Sequence, residues 1–290
     1  MLKIALTCDD APWSASLGGN AFREGVMDGI RQQLLRCGVG RCVAFVNSEV
    51  AMGQEPQLER WLEAGFELGN HTHDHRTASE SRPEHFLDSV ERCDRMLQSL
   101  GAFDDGRTRW FRFPKLDRGP DAQTRRLLKR GCEDLGYRIA HASTDFFDHH
   151  FEARYVSALE VGDEVLATHI ARRYRRVATE SLSATRIAMR AVHGVEFISV
   201  PYFHFGAVSL RTTGAIFDQL TKTDVAWCDL EEAMGHPVFT AFDANFDVGG
   251  VVPRPAHMSL PVRVGRRVGR LSHQLGWFRQ ARLGPRFPYL

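Results

Sequence analysis

RCVAFVNSEVAMGQEPQLERWLEAGFELGNHTHDH, residues 41–75, contains one complete turn of the pattern from which the rest of the chain is built. RCVAFVNS (41–48) is a short apolar, β-prone run; PQLERWLEAG (56–65) is amphipathic and closes on glycine; FELGNH (66–71) is apolar again. A strand, a helix with glycine at its end and a second strand predict parallel strands joined by a crossover helix. The stretch ends on three histidines and an aspartate within five positions, His71 to His75. A soluble domain has no structural need for so many titratable groups together, so this strand end is where chemistry is expected.

The same alternation runs outward in both directions. Upstream lie a strand at KIALTC (3–8) and a helix over 21–38; downstream come a helix over 84–101, the strand RWFRFP (109–114), a helix over 121–136 and the strand YRIAHAST (137–144). A helix over 163–193, the strand VEFISVPYFHF (195–205), a helix near 208–221 and the strand DVAWCDL (224–230) complete the series. The fold class is therefore α/β, with about seven parallel strands starting near residues 3, 41, 66, 109, 137, 195 and 224. Periodicity leaves open whether the sheet is open or closed into a barrel.

Bulk properties exclude some functions. The 290 residues are 43% hydrophobic and 25% charged, ordinary globular values, and 37 Lys plus Arg against 36 Asp plus Glu leave a formal charge of +1. No global field selects nucleic acid or any strongly charged partner. The N-terminus enters a strand-like run at once, and no stretch approaches the length of a membrane span, so a cytoplasmic protein is expected. Six cysteines, at 8, 37, 42, 93, 132 and 228, form neither a CxxC pair nor a dense framework and are read as buried thiols. Past residue 234 the pattern decays, and residues 254–290 hold eight arginines and no Asp, Glu or Lys. The chain is accordingly divided into a catalytic unit, 1–235, and an arginine-rich extension, 236–290, that packs on the domain or contacts a membrane surface or partner.

In parallel sheets, open or closed, working residues collect at the carboxyl ends of the strands. The first strand ends in Cys8-Asp9-Asp10, the third in His71 to His75, the fourth carries Arg112 and Pro114, the fifth is followed by Asp145 and Asp148, and a late strand carries His204. A divalent ion that activates water takes two imidazoles and a carboxylate and keeps an open position. Asp10, His71 and His75 supply that set. A helical turn would place positions 71 and 75 on one face, whereas an extended chain would align 71, 73 and 75, and the local sequence allows both. His169 falls inside the 163–193 helix and is read as structural.

Taken together these residues resemble the polysaccharide deacetylase family, the NodB-homology domains of carbohydrate esterase family 4. Thr7-Cys8-Asp9-Asp10-Ala11, His71-Thr72-His73-Asp74-His75, Phe111-Arg112-Phe113-Pro114, Asp145-Phe146-Phe147-Asp148-His149 and Tyr202-Phe203-His204-Phe205 match that family's five motifs in order, over about residues 3–232. The resemblance implies a distorted (β/α) barrel and a metal-dependent hydrolase that removes the N-acetyl group from an amino sugar. It implies a divalent ion, usually zinc, with cobalt or nickel as substitutes, held by Asp10, His71 and His75. Asp9 would be the general base, Arg112 its orienting partner, His204 the general acid, and Asp148 (or Asp145) the carboxylate behind it. Pro114, Phe113, Trp13 and His149 are expected to line the carbohydrate. The chain departs from the pattern at Cys8, Ala11-Pro12 and His149, the last standing where tryptophan is common. A related deformylase or small-molecule amidase, or a carbohydrate-binding protein without turnover, are the other functions compatible with the scaffold.

Overall fold

The computed structural model describes residues 2–14, 23, 25–193 and 197–246. Its strands in chain order are β1 (Leu2–Ile4), β2 (Thr7–Ala11), β3 (Val43–Val46), β4 (Glu67–Asn70), β5 (Trp110–Phe111), β6 (Arg138–Ile139), β7 (Thr144–Asp145), β8 (Ile198–Ser199), β9 (Pro201–His204) and β10 (Val225–Trp227). All pairings are parallel, and the main sheet of seven runs β6-β5-β4-β3-β2-β9-β7. A smaller sheet, β10-β1-β8, continues from the amino ends of β2 and β9, because the first and late strands each break once along their length. The seven expected strands are thus present, three of them divided in two.

The run 137–144 behaves differently from its expected single strand. It is divided between β6 and β7, which occupy the two opposite edges of the seven-stranded sheet. Laid flat, six inter-strand gaps would separate those edges by about 29 Å. The five steps from Ile139 to Thr144 can span at most about 18 Å. The sheet therefore has to curl, and the result is a half-barrel whose two edges are tied by residues 140–143. Ala140 N–H donates to the Phe111 carbonyl on one edge (2.8 Å) and Ser143 N–H to the Val200 carbonyl on the other (2.9 Å).

Both faces of the curled sheet are covered, which is why β3 reads as a continuous apolar run. Its side chains alternate: Ala44 and Val46 pack in the large core beneath the outer helices, while Val43 and Phe45 join Trp110 and Val200 in a second core. The helices Val26–Arg36, Glu55–Glu63, Pro83–Ser99, Ala122–Asp134, Glu164–His193 and Ala207–Thr221 follow the expected amphipathic runs to within a few residues. The helix Pro237–Ala244 buries Val238 and Phe239 in the second core, so the packed body continues past residue 235. The remainder of the arginine-rich extension, including every arginine from Arg254 onward, lies outside the described residues. Among the described residues no helix is long and apolar enough to cross a membrane. The six cysteines are free thiols, five buried and Cys37 partly so.

Candidate active site

Strand alternation decides which side chains reach the barrel interior. Thr7 and Asp9 on β2, Phe45 on β3, and Arg112 just beyond β5 share it: Arg112 Nη1 donates to Asp9 Oδ1 at 2.7 Å and to Thr7 Oγ1 at 2.8 Å, with its guanidinium carbon 4.2 Å from the centre of the Phe45 ring. Arg112 has no exposed surface, and its Nε also donates to the Ala140 carbonyl at 3.3 Å. Alternation alone would send Asp10 outward, behind Asp9. Its backbone instead turns left-handed (φ 60), and the pairing of β2 with β3 shifts register between Cys8 and Ala11. This irregularity lets two consecutive carboxylates face the same site.

On β4 the interior position is Gly69, where a Cβ would come within 2.6 Å of the Phe45 ring and 3.1 Å of the Trp110 carbonyl. His71, two residues on, keeps that direction. The stretch after it is neither helical nor extended. Thr72 (φ 70) and His75 (φ 54) turn the chain left-handed, the Asn70 side chain accepts from Thr72 N–H (2.8 Å), and Thr72 Oγ1 accepts from His75 N–H (3.1 Å). The turn brings the His71 and His75 rings to 5.2 Å between centroids. It carries His73 the other way, onto Ser48 Oγ at 2.8 Å, while Asp74 accepts from Ser89 Oγ at 2.7 Å. The pair 71/75 is therefore selected by a loop geometry that neither regular alternative contained.

His71 Nδ1 lies 2.8 Å from the Arg112 carbonyl, to which it can only donate, and this leaves Nε2 as the free ligand nitrogen. Nε2 of His71 and of His75 stand 3.7 Å and 3.2 Å from Asp10 Oδ1. That oxygen is buried and has no hydrogen-bond partner among the described residues. Burial by itself would raise the Asp10 carboxyl, but the charges of His204, His75 and His71 outweigh it and hold it below the usual range. Burial dominates at His71 and lowers it to about 4, so the imidazole is neutral near pH 7. An orphaned carboxylate oxygen facing two imidazole nitrogens fits a divalent cation.

Across the site, His204 at the end of β9 turns Nδ1 toward both Asp148 oxygens, each at 3.1 Å, and its own backbone N–H donates to Asp148 Oδ2 at 2.9 Å. Burial alone would lower the imidazole, yet Asp148, with Asp10 and Asp9 behind it, raises it well above the ordinary histidine value. Asp145 is engaged elsewhere, by the Tyr202 hydroxyl (2.8 Å) and the Phe147 N–H (2.6 Å). Of the expected carbohydrate-lining residues, His149 is 41% exposed in its side chain and stands edge-on to His204 at 5.5 Å. Trp13 is 9% exposed and belongs to the large core. Phe113 does not reach a ligand surface: it is 2% exposed, stacked on Phe86 and packed against Phe111 and Phe246, and Pro114 beside it is buried. These apolar neighbours, from a helix, a strand and a segment far along the chain, take the ring that the motif alone suggested for substrate.

Several further groups support the site from behind. Asn70 Nδ2 donates to the Val90 carbonyl (2.9 Å) and to the Tyr137 hydroxyl (3.0 Å), which in turn donates to Asp94 (2.5 Å). Asn47 Nδ2 donates to the His71 carbonyl at 2.6 Å. These partners come from helices and strands distant in sequence, so only the positions Asn47 and Asn70, each closing a strand, carried a local signal.

Comparison with known proteins follows the same lines. The polysaccharide deacetylase family pattern matches residues 3–139. No curated protein matches the sequence. Among solved structures, a carbohydrate esterase family 4 pseudoenzyme from Bacillus anthracis is similar at 14% identity and a TM-score of 0.53, over 80% of this chain and 65% of that one. A peptidoglycan deacetylase from Bacillus subtilis is similar at 17% identity and a TM-score of 0.52, over 84% and 97%. A family 4 acetyl xylan esterase from Clostridium thermocellum, in complex with a cobalt ion, is similar at 16% identity and a TM-score of 0.50, over 80% and 90%. The sequence match covers 3–139, just under half of the chain, and the half-barrel is the fold of these family 4 structures; in both respects the chain is similar to the polysaccharide deacetylases.

Proposed function

We propose that the protein is a metal-dependent hydrolase that removes the acetyl group from an N-acetylated amino sugar, with residues 1–235 as its catalytic unit. The observation that carries the reading is the unpartnered, buried Asp10 Oδ1 facing His71 Nε2 and His75 Nε2. A divalent ion held there, zinc in the first place, would polarise the acetamido carbonyl and make a water acidic enough to attack it. Asp9 takes the proton from the attacking water, and Arg112, fixed by Thr7 and the Ala140 carbonyl, holds that carboxylate in place. The Asp148 charge against Nδ1–H favours the His204 imidazolium, whose second proton, on Nε2, goes to the departing amine. Acetate and the free amino sugar are the products. His149, at the rim beside His204, contacts the carbohydrate.

The fold by itself does not support turnover, because a relative of similar architecture is a pseudoenzyme. Support comes from the side chains: Asp9, Asp10, His71, His75, Arg112, Asp148 and His204 are all present and mutually in reach. The deciding experiment measures bound metal in the purified protein together with acetate release from N-acetylglucosamine oligomers. About one equivalent of divalent ion and metal-dependent acetate release are expected. Protein that binds zinc or cobalt stoichiometrically and releases no acetate from any N-acetyl sugar would sink the deacetylase reading and leave amide hydrolysis of another substrate or binding alone.

A further inference from the structure

We propose that the outer face of the helix Glu164–His193 carries a second binding site, remote from the strand ends, for a phosphate-bearing anion of diphosphate-ester size. The segment VLATHIARRYRRVAT, residues 165–179, holds four arginines, one histidine and no acid. Its buried side chains, Ala167, Ile170, Ala171, Tyr174, Val177 and Ala178, recur with the helical period and face the core. The period leaves His169, Arg172, Arg173, Arg175 and Arg176 exposed on the opposite face. These five, with Gln219 from the helix Ala207–Thr221, line a cavity of about 590 Å³.

Surface arginines on helices are ordinarily matched with acids three or four positions away. Here position 168 is threonine, 171 alanine and 179 threonine, Arg172 stands four residues from Arg176, like charge against like, and one acid, Glu180, four residues after Arg176, falls within that reach. No ion pair joins any of the four guanidinium groups to an acid among the described residues. Asp218, the acid nearest to Gln219 in sequence, is taken by Lys222 at 2.7 Å. The face thus concentrates positive charge in a concave site of the size that holds small ligands. Guanidinium forks match phosphate oxygens two at a time, so several of them select a multiply charged phosphate group. The concavity, and the exposed acids Glu160, Asp163 and Glu164 at the adjoining turn, favour a discrete anion over a flat anionic bilayer. Gln219 lies twelve residues along a helix whose first turn follows His204, about 18 Å from it. A small substrate at Asp10 does not reach that far, so the pocket binds its anion independently of the strand-end site.

The test is calorimetric titration of the full chain with inorganic pyrophosphate. Saturable one-to-one binding is expected, weakened roughly tenfold or more by Arg172→Glu/Arg176→Glu and less severely by Arg172→Lys/Arg176→Lys, which keeps the charge and loses the fork. His75→Ala is expected to leave the titration unchanged, which separates this pocket from any metal-bound pyrophosphate and from the fate of the deacetylase proposal. A control reversal elsewhere, Arg95→Glu/Arg130→Glu, is expected to have little effect. No binding at millimolar pyrophosphate, or equal losses in the control, would overturn the proposal. So would binding only to phosphatidylglycerol vesicles, abolished by Arg172→Glu/Arg176→Glu, which would make the face a membrane-docking surface.

Discussion

Two clusters at the mouth of the half-barrel, Asp10–His71–His75 and Asp148–His149–His204, have the same composition of one carboxylate and two imidazoles, each with ligand atoms within 4.8 Å of one another. They are nevertheless different devices. In the first, a buried carboxylate oxygen has no hydrogen-bond partner among the described residues and faces two Nε2 atoms, while the backbone takes the Nδ1–H of His71. In the second, both oxygens of Asp148 are spent on His204, through Nδ1 and the backbone N–H, with Ser209 Oγ at 3.4 Å besides. The histidines respond oppositely: burial drives His71 down to about 4, whereas the Asp148 charge carries His204 well above its ordinary value. On the function proposed above, what separates a cation socket from a proton donor is which atoms remain unsatisfied, and residue type is silent about that.

The comparison can be broken most severely by His75→Ala, expected to empty the socket and bring acetate release to background, with bound metal falling well below one equivalent by elemental analysis. If Ala at 75 kept its metal, the socket would be misassigned. Asp9→Asn should retain the metal and the fold yet lower kcat by roughly 10³-fold, within the range for losing a general base. Loss of metal in that variant would instead make Asp9 a ligand. Asp148→Asn sharpens the second cluster: kcat should fall by about 10²-fold, and the alkaline limb of the kcat/KM profile should move to lower pH. The sign follows from the raised His204 value, since an acid catalyst works below its pKa and losing the Asp148 charge lowers that pKa. An unmoved alkaline limb would detach His204 from the acid role.

The smallest effect concerns stability. His71 has a folded-state value depressed to about 4, so between that and the ordinary histidine value the unfolded chain binds the extra proton. Metal-free protein should therefore lose stability as pH falls from 6 to 5, by about 1 kcal/mol from this group. His204, raised in the folded state, adds stability that is complete below the unfolded value and is lost at high pH, so it adds little slope in that interval. Urea titrations of metal-free wild type and His71→Gln at both pH values isolate the term. Parallel slopes would mean that His71 is not held neutral by burial.

Much of this was legible beforehand. Repeated strand-helix-strand runs specify parallel strands, and parallel strands put Asp9, Asp10, His71, Arg112 and His204 at one end of the sheet whatever its final shape. Boundaries followed because glycines and amphipathic stripes act locally, as in the stretch 41–75. Phe113 was harder to place: position beside Arg112 suggested a ligand wall, and only Phe86 and Phe246, from a helix and a segment far along the chain, show the ring to be core. The choice of His75 over His73 likewise rested on left-handed Thr72 and His75, conformations that sequence propensity does not favour for those residues.

The sequence by itself determined the class of fold, the end of the sheet where the chemistry sits and the residue types available there, because strand period and chain direction are local properties. Only the tertiary structure decided which of those residues meet. Arg112 and Asp9 lie on strands three places apart in the sheet, about 14 Å if it were flat. They are joined at 2.7 Å because four residues between β6 and β7 force the sheet to curl. That closure is a sum of constraints over the whole chain, and no window of sequence contains it.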